Sequence, residues 1–206
     1  MLKRRQVVRW VLKPLIFTAA LAPFGLMSWG AWQDDLGANP LETVTHGTGD
    51  WALRFLLITL AMTPLRRLLR SNWPISLRRM LGLFTFFYAS LHFLVWLVLD
   101  QEMLWQNILA DIVKRPYVTV GFLAWLFLVP LALTSTKGMI RRLGRNWSRL
   151  HRLVYPIAFL GVLHYLWLVK ADLFEPLIYG AILGLLLVAR IRPLQARIQA
   201  LVGAAS

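Results

Sequence analysis

The chain has no cysteine. That excludes disulfides, iron–sulfur clusters, a thiolate heme ligand and the CxxCH attachment of c-type heme, so any heme here is non-covalent. Acids are scarce as well: nine Asp and Glu stand against 23 Lys and Arg in 206 residues, a formal charge of +14. None of the nine lies in the middle of an apolar run, which counts against a proton-coupled transporter with midplane carboxylates. The sequence offers no low-complexity segment, no long linker and no internal repeat. It leaves no room for a soluble flavin or nicotinamide domain. The one glycine-spaced stretch, His46-Gly47-Thr48-Gly49-Asp50, is too weak to read as a phosphate loop.

Apolar residues are what the chain has in excess, 58% of the total. Soluble domains average about 45–50%. The apolar residues fall in runs near 20 long, the length that crosses about 30 Å of hydrocarbon. Six spans are predicted, at about 11–32, 50–69, 80–100, 117–135, 150–169 and 174–190. The expected fold is an all-α integral membrane protein, a six-transmembrane-helix bundle forming a single domain over 1–206. The connections 33–49, 101–116 and 136–149 are expected to be the longest, and the tail after Arg190 to form a short interfacial helix.

Charge decides the orientation. Nineteen of the 23 basic residues cluster at the N-terminus (Lys3 to Lys13), at 66–79, at 137–152 and in the tail from Arg190. With six crossings these groups share one side, and the positive-inside rule makes both termini cytoplasmic. All nine acids sit in or beside the other three connections. The net charge is therefore topology, with arginines snorkelling toward anionic lipid, and no nucleic-acid partner is expected. The N-terminal basic and apolar stretch resembles a signal sequence, but Lys13, Pro14 and Pro23 interrupt it, and it is read as an uncleaved anchor. Arg4-Arg5 is read as a charge anchor rather than a twin-arginine signal. Trp32, Trp51, Trp73, Trp105, Trp147 and Trp167 lie near span ends, as an interfacial belt requires.

Two histidines inside apolar spans carry the functional signal. His92 lies thirteen residues past Arg79, and His164 twelve past Arg152. At 1.5 Å per residue these rises are about 19.5 and 18 Å, so two parallel spans bring both rings to one height. Imidazole in lipid is expensive and usually has a partner or a task. A bare zinc or iron site wants three or four protein ligands, and no carboxylate lies at that depth. A heme iron needs only two axial ligands, so a heme fits His92 and His164 better. The plain alternative is a pair of buried rings bonded to neighbouring helices. Ala89 and Gly161, each three residues before a histidine, leave room for the edge of a flat macrocycle, or simply pack helices closely.

Other positions stay open at this level. His151 is predicted about 20 Å lower than His164 on the same helix. It reads as a lone ligand of a second heme, a quinone hydrogen-bond partner or an interfacial residue. Arg78 occupies the matching depth on the third span, where a second ligand would be needed. Arg54, near the outer surface, reads as a partner for a heme propionate or as a snorkelling residue, and Arg78, Arg79 and Arg152 read in the same two ways on the inner side. His46 reads as a solvated loop residue. With Asp50 it is a thin candidate metal site for a stand-alone ferric or other metal-ion reductase, the second class of function.

The stretches WALRFLLITLAMTPLRRLL, RRMLGLFTFFYASLHF, KRPYVTVGFLAW and LALTSTKGMIRRLGRNWSRLHRLVYPIAFLGVLHYLW resemble the heme-binding subunits of periplasmic methionine sulfoxide reductase systems, the MsrQ (formerly YedZ) family. That family belongs to the ferric-reductase-like transmembrane group. The resemblance implies b-type heme with His92 and His164 as axial ligands, and one heme or two according to the role of His151. It implies a multi-pass protein of the bacterial inner membrane that draws electrons from membrane quinol, or from a cytoplasmic flavin reductase. The acceptor is then a periplasmic molybdopterin-containing catalytic subunit, docked on the acidic outer loops. The resemblance also associates FMN with the family, although these residues hold no flavin motif.

Overall fold

The computed structural model describes residues 4–169 and 172–190. Six long rods run in alternating directions: α1 (Val8–Trp32), α2 (Pro40–Leu68), α3 (Trp73–Asp100), α5 (Pro116–Leu133), α8 (Val154–Leu168) and α9 (Phe174–Val188). Three short helices join them: α4 (Trp105–Lys114) at one end, α6 (Lys137–Leu143) and α7 (Arg145–Leu150) at the other. The described residues contain no strand. Three rods, α1, α3 and α5, are long and apolar enough to cross a bilayer, and α9 is a shorter apolar helix. The expected interfacial helix after Arg190 lies outside the described residues.

The connections differ from expectation. The connection expected over 33–49 is shorter in the structure, because α2 begins at Pro40. Asn39 caps it, accepting from the Glu42 backbone N–H at 3.3 Å and donating to the Glu42 carboxylate at 2.9 Å. Proline at the first position and an acid at the third complete a reciprocal cap. His46 and Asp50 therefore stand on helical turns rather than in a loop. The stretches 101–116 and 136–149 likewise hold α4, α6 and α7, with Gly144 at φ +50° turning the chain between the last two.

Two packed regions hold the bundle. In one, Leu53, Leu56, Leu57 and Leu60 of α2 meet Leu128 and Leu131 of α5, Ile157 and Ala158 of α8 and Leu183 of α9. In the other, Phe55 and Met62 of α2 meet Leu77, Leu81, Phe84 and Tyr88 of α3. Tyr88, fully buried, stitches α1 to this second region. Its hydroxyl donates to the Ala20 carbonyl (2.7 Å) and accepts from the Phe24 N–H (3.1 Å). Those two groups would otherwise bond each other as i and i+4, so the tyrosine is inserted into the ladder of α1, beside Pro23.

Large apolar side chains cover the outside, among them Trp10, Leu15, Leu26 and Trp29 of α1 and Leu185 of α9. Apolar surface on that scale needs a non-aqueous neighbour. Trp32, Trp105 and Trp167 are exposed near helix ends. Trp51 and Trp147 instead pack inward, against Phe55 and His151.

Candidate functional site

The most extensive helix contacts are α2 with α3 and α5 with α8. Each antiparallel pair presents one histidine. His92 Nδ1 lies 2.9 Å from the Thr45 carbonyl oxygen of α2. His164 Nδ1 lies 2.7 Å from the Tyr117 carbonyl oxygen of α5. A carbonyl only accepts, so each Nδ1 carries the proton and each Nε2 keeps its lone pair. The bond also makes the ring a better metal ligand.

The two units match position by position. In each, 47 residues separate carbonyl and histidine. Four residues after each carbonyl stands a glycine, Gly49 or Gly121. A Cβ on Gly49 would lie 3.1 Å from His92 Nδ1, and one on Gly121 only 2.7 Å from His164 Nδ1. The glycines let each ring lie against a helix backbone. Equivalent residues of the two units are 72 apart: 45 and 117, 49 and 121, 92 and 164. Sequence reading found no repeat because the correspondence rests on a few spaced positions rather than a continuous segment. Glycine 43 residues before each membrane histidine was the available signal.

The rings face each other with centroids 6.0 Å apart and planes at 82°. Two iron–nitrogen bonds of about 2 Å plus two ring radii of about 1.1 Å span about 6 Å. The ring separation thus suits one six-coordinate iron between them. A cavity of about 390 Å³ surrounds the pair. Its wall includes Ala89 and Gly161, where the sequence placed them, and the aromatic stack of Phe93 on Trp125 (4.3 Å, 17°) with Phe122 beside it. A Cβ on Gly161 would meet only Leu53, at an ordinary 3.6 Å, so close approach does not require glycine there. Among the described residues no group of three or more His, Cys, Asp or Glu is placed to hold a metal ion. The donor set therefore fits a heme, whose macrocycle supplies the other four ligands, better than a bare ion.

The cavity is polar toward the acid-rich end of the bundle. His46, Asp50, Asp100, Asp111, Arg115 and Glu175 line it. Beyond His92, residues Val95–Asp100 of α3 wind as a π-helix, a form frequent at functional sites. Asp111 of α4 is buried and holds the closure. It accepts from Trp96 Nε1 of that wide turn (3.0 Å) and pairs with Arg115 Nε (3.0 Å). Sequence reading had singled out Arg54 here. Its Nε donates to the Tyr179 hydroxyl (2.9 Å), its NH2 group pairs with Asp50 (3.3 Å), and it is not among the lining residues. Arg115, which sequence reading passed over, is the arginine that lines the cavity.

His151 is built differently. It stands in a 3₁₀ turn, His151–Leu153, ahead of α8, so an ideal helix does not relate it to His164. Its ring stacks on Trp147 (4.0 Å, 30°), and its Nε2 lies 3.2 Å from the Thr134 hydroxyl. That hydroxyl gives its single proton to the Pro130 carbonyl at 2.6 Å. The histidine must then be the donor, which leaves the lone pair on Nδ1. Arg78 of α3 is within electrostatic reach of this ring. Neither His151 nor Arg78 lines the cavity of the histidine pair.

A family model for the ferric reductase like transmembrane component matches residues 48–162, which include His92 and both glycines and end two residues before His164. The chain is 56% identical over 181 residues to the protein-methionine-sulfoxide reductase heme-binding subunit MsrQ of Xanthomonas euvesicatoria pv. vesicatoria (strain 85-10), covering 85% of this chain and 83% of that protein. It is 54% identical over 184 residues to the MsrQ of Herminiimonas arsenicoxydans, covering 88% and 84%. The chain belongs to the MsrQ family. The matched positions run from the third turn of α2 to the middle of α8 and take in most of the residues that line the cavity.

Proposed function

We propose that the chain is the membrane electron-transfer subunit of a methionine sulfoxide reductase system, with b-type heme held between His92 and His164. The observation that carries this reading is the pair of facing rings 6.0 Å apart, each with Nδ1 committed to a backbone carbonyl. The names of the relatives, heme-binding subunits of that system, support the same role. A heme bound there supplies reversible one-electron transfer.

The chain's own residues hold, insulate and gate. The carbonyls of Thr45 and Tyr117 fix the ring tautomers, and Gly49 and Gly121 set the ring positions. Phe93, Phe122, Trp125, Leu53 and Leu56 keep water from the cavity, and Arg115 offers a cation for an acidic group at its mouth. The six alternating rods and the segregated charge support six crossings of the bacterial inner membrane with both termini in the cytoplasm. Quinol is the electron donor at the inner end. The Nδ1 lone pair of His151 supports this, as an acceptor for a quinol hydroxyl. The electron acceptor is a periplasmic molybdopterin-containing catalytic subunit, received by the outer face, where the chain's acids gather. FMN stays an expectation of the resemblance alone.

The test is the dithionite-reduced minus oxidised spectrum of the purified protein, with heme counted per chain. A sharp low-spin b-type α band that disappears in both His92→Ala and His164→Ala is expected. Folded protein that stays colourless after heme supplementation overturns the reading.

A further inference from the structure

The wall of the histidine cavity repeats itself. Of its 28 lining residues, 24 fall into twelve pairs set 72 apart in the chain, one member on α2 or α3 and the other on α5 or α8. Ala52 pairs with Ala124, Leu56 with Leu128 and Ala89 with Gly161, besides the histidines and glycines already matched. Contacts between the units match too: α3 touches α5, and α2 touches α8. With alternating rods, α2 runs parallel to α5 and α3 to α8. Two such units facing each other are related by a half-turn about a line along the bundle, midway between the rings. The walls differ at Leu53 against Trp125, but Trp96 against Leu168 reverses that difference, so these pairs give each wall one tryptophan and one leucine.

Charge is where the repeat fails. The four unpaired lining residues, Asp100, Asp111, Arg115 and Glu175, are all charged, and Asp50 has apolar Phe122 as its equivalent. Each of these acids already has a donor. Arg54 serves Asp50 (3.3 Å), Gln101 Nε2 serves Asp100 (2.7 Å), Trp96 Nε1 serves Asp111 (3.0 Å) and the Tyr165 hydroxyl serves Glu175 (2.7 Å). Arg115 is the one lysine or arginine among the lining residues. Its Nε is held by buried Asp111 at 3.0 Å, and a guanidinium carries further N–H donors in the same fork.

A b-type heme has both carboxylates on one edge. Turning it over about the line through that edge keeps the carboxylates in place and exchanges only methyl and vinyl groups. The half-turn of the cavity likewise leaves the charged mouth in place and exchanges the two walls. We propose that the cavity holds a heme by its carboxylate edge, through Arg115, and does not distinguish its two faces, so that both face orientations are bound. The inference rests on the heme reading above.

Proton NMR of the purified, oxidised protein tests it, because the heme methyl resonances report the orientation. Two sets are expected, with intensities within about tenfold of each other, since a wall fitted to one face would discriminate a single carbon by that much or more. Reconstitution with a heme whose vinyls are replaced by methyls makes the faces equivalent and should merge the two sets. A single set with native heme overturns the proposal, and so do two sets that persist with the symmetric heme, which would mean two separate sites. For the edge, heme should outcompete its dimethyl ester at least about tenfold, the worth of a hydrogen bond to a charged group. Arg115→Gln should abolish that preference and Arg115→Lys should keep most of it. A preference unchanged in Arg115→Gln overturns the part given to Arg115. A normal α band with one methyl set removes this inference alone, whereas folded protein with no α band removes the electron-transfer reading with it.

Discussion

The acid-rich and arginine-rich ends of the bundle use the same side chain in opposite ways. At that acidic end His92 and His164 donate through Nδ1 to helix carbonyls, and both rings line a shared cavity. At the inner end His151 donates through Nε2 to Thr134, so its free lone pair is on Nδ1, with Trp147 against the ring. The acceptor decides the tautomer, and the tautomer decides what the ring can do. Two rings with free Nε2 atoms 6 Å apart in centroid can clamp an iron. One ring with a free Nδ1 beside an arginine suits a hydrogen bond from a reversible redox partner. Charge differs in the same sense: the ion pairs of Asp50 with Arg54 and of Asp111 with Arg115 stand at the end of the histidine pair.

The comparison breaks most severely if a clamp residue is removed. His92→Ala or His164→Ala should lower heme retention at least about tenfold, since even outer-shell partners of metal ligands are worth that much. A pyridine hemochrome assay per chain measures it, and retention of full heme in either variant would contradict the outer site. His151→Phe, which keeps the stack on Trp147, should leave dithionite-reduced spectra intact and slow quinol-driven reduction about a hundredfold. If it removes half the heme instead, His151 is a ligand and the two ends are alike.

The glycines sharpen the comparison within the outer end. Gly121→Ala should cost about 1–3 kcal/mol of stability and broaden the α band, because its Cβ would meet His164 at 2.7 Å. Gly49→Ala, at 3.1 Å from His92, should do less in both thermal melting and spectra. A reversed order would mean the two half-sites are not limited by the same contact. The smallest effect belongs to Thr134→Val. Loss of one hydrogen bond is worth about 1 kcal/mol, and the expected result is a changed KM for quinol with the α band unmoved.

Much of this was legible in advance because lipid makes hydropathy a strong constraint. Each of the six predicted spans overlaps a described helix, and His92 and His164 do meet. The start of α2 was missed, although Asn39, Pro40 and Glu42 spell a helix cap. Gly47 and Gly49 read as loop residues because glycine is a poor helix former. In the fold Gly49 is where a histidine of α3 rests on the backbone of α2. Arg54 was chosen for its depth, but depth does not say which way a guanidinium turns. Tyr179, 125 residues further on, draws it aside.

Residue order alone carries the apolar medium, the helical class, the segregation of charge and the equal height of two histidines. Each of these follows from composition and from a fixed rise per residue, which are local or one-dimensional properties. The packing of the helices set the tautomers and the matching of two helix pairs at an interval of 72 residues. Those depend on which carbonyl, hydroxyl or charge a neighbouring helix brings within about 3 Å. A hydrogen-bond partner 47 residues away leaves no trace in the hydropathy of either segment.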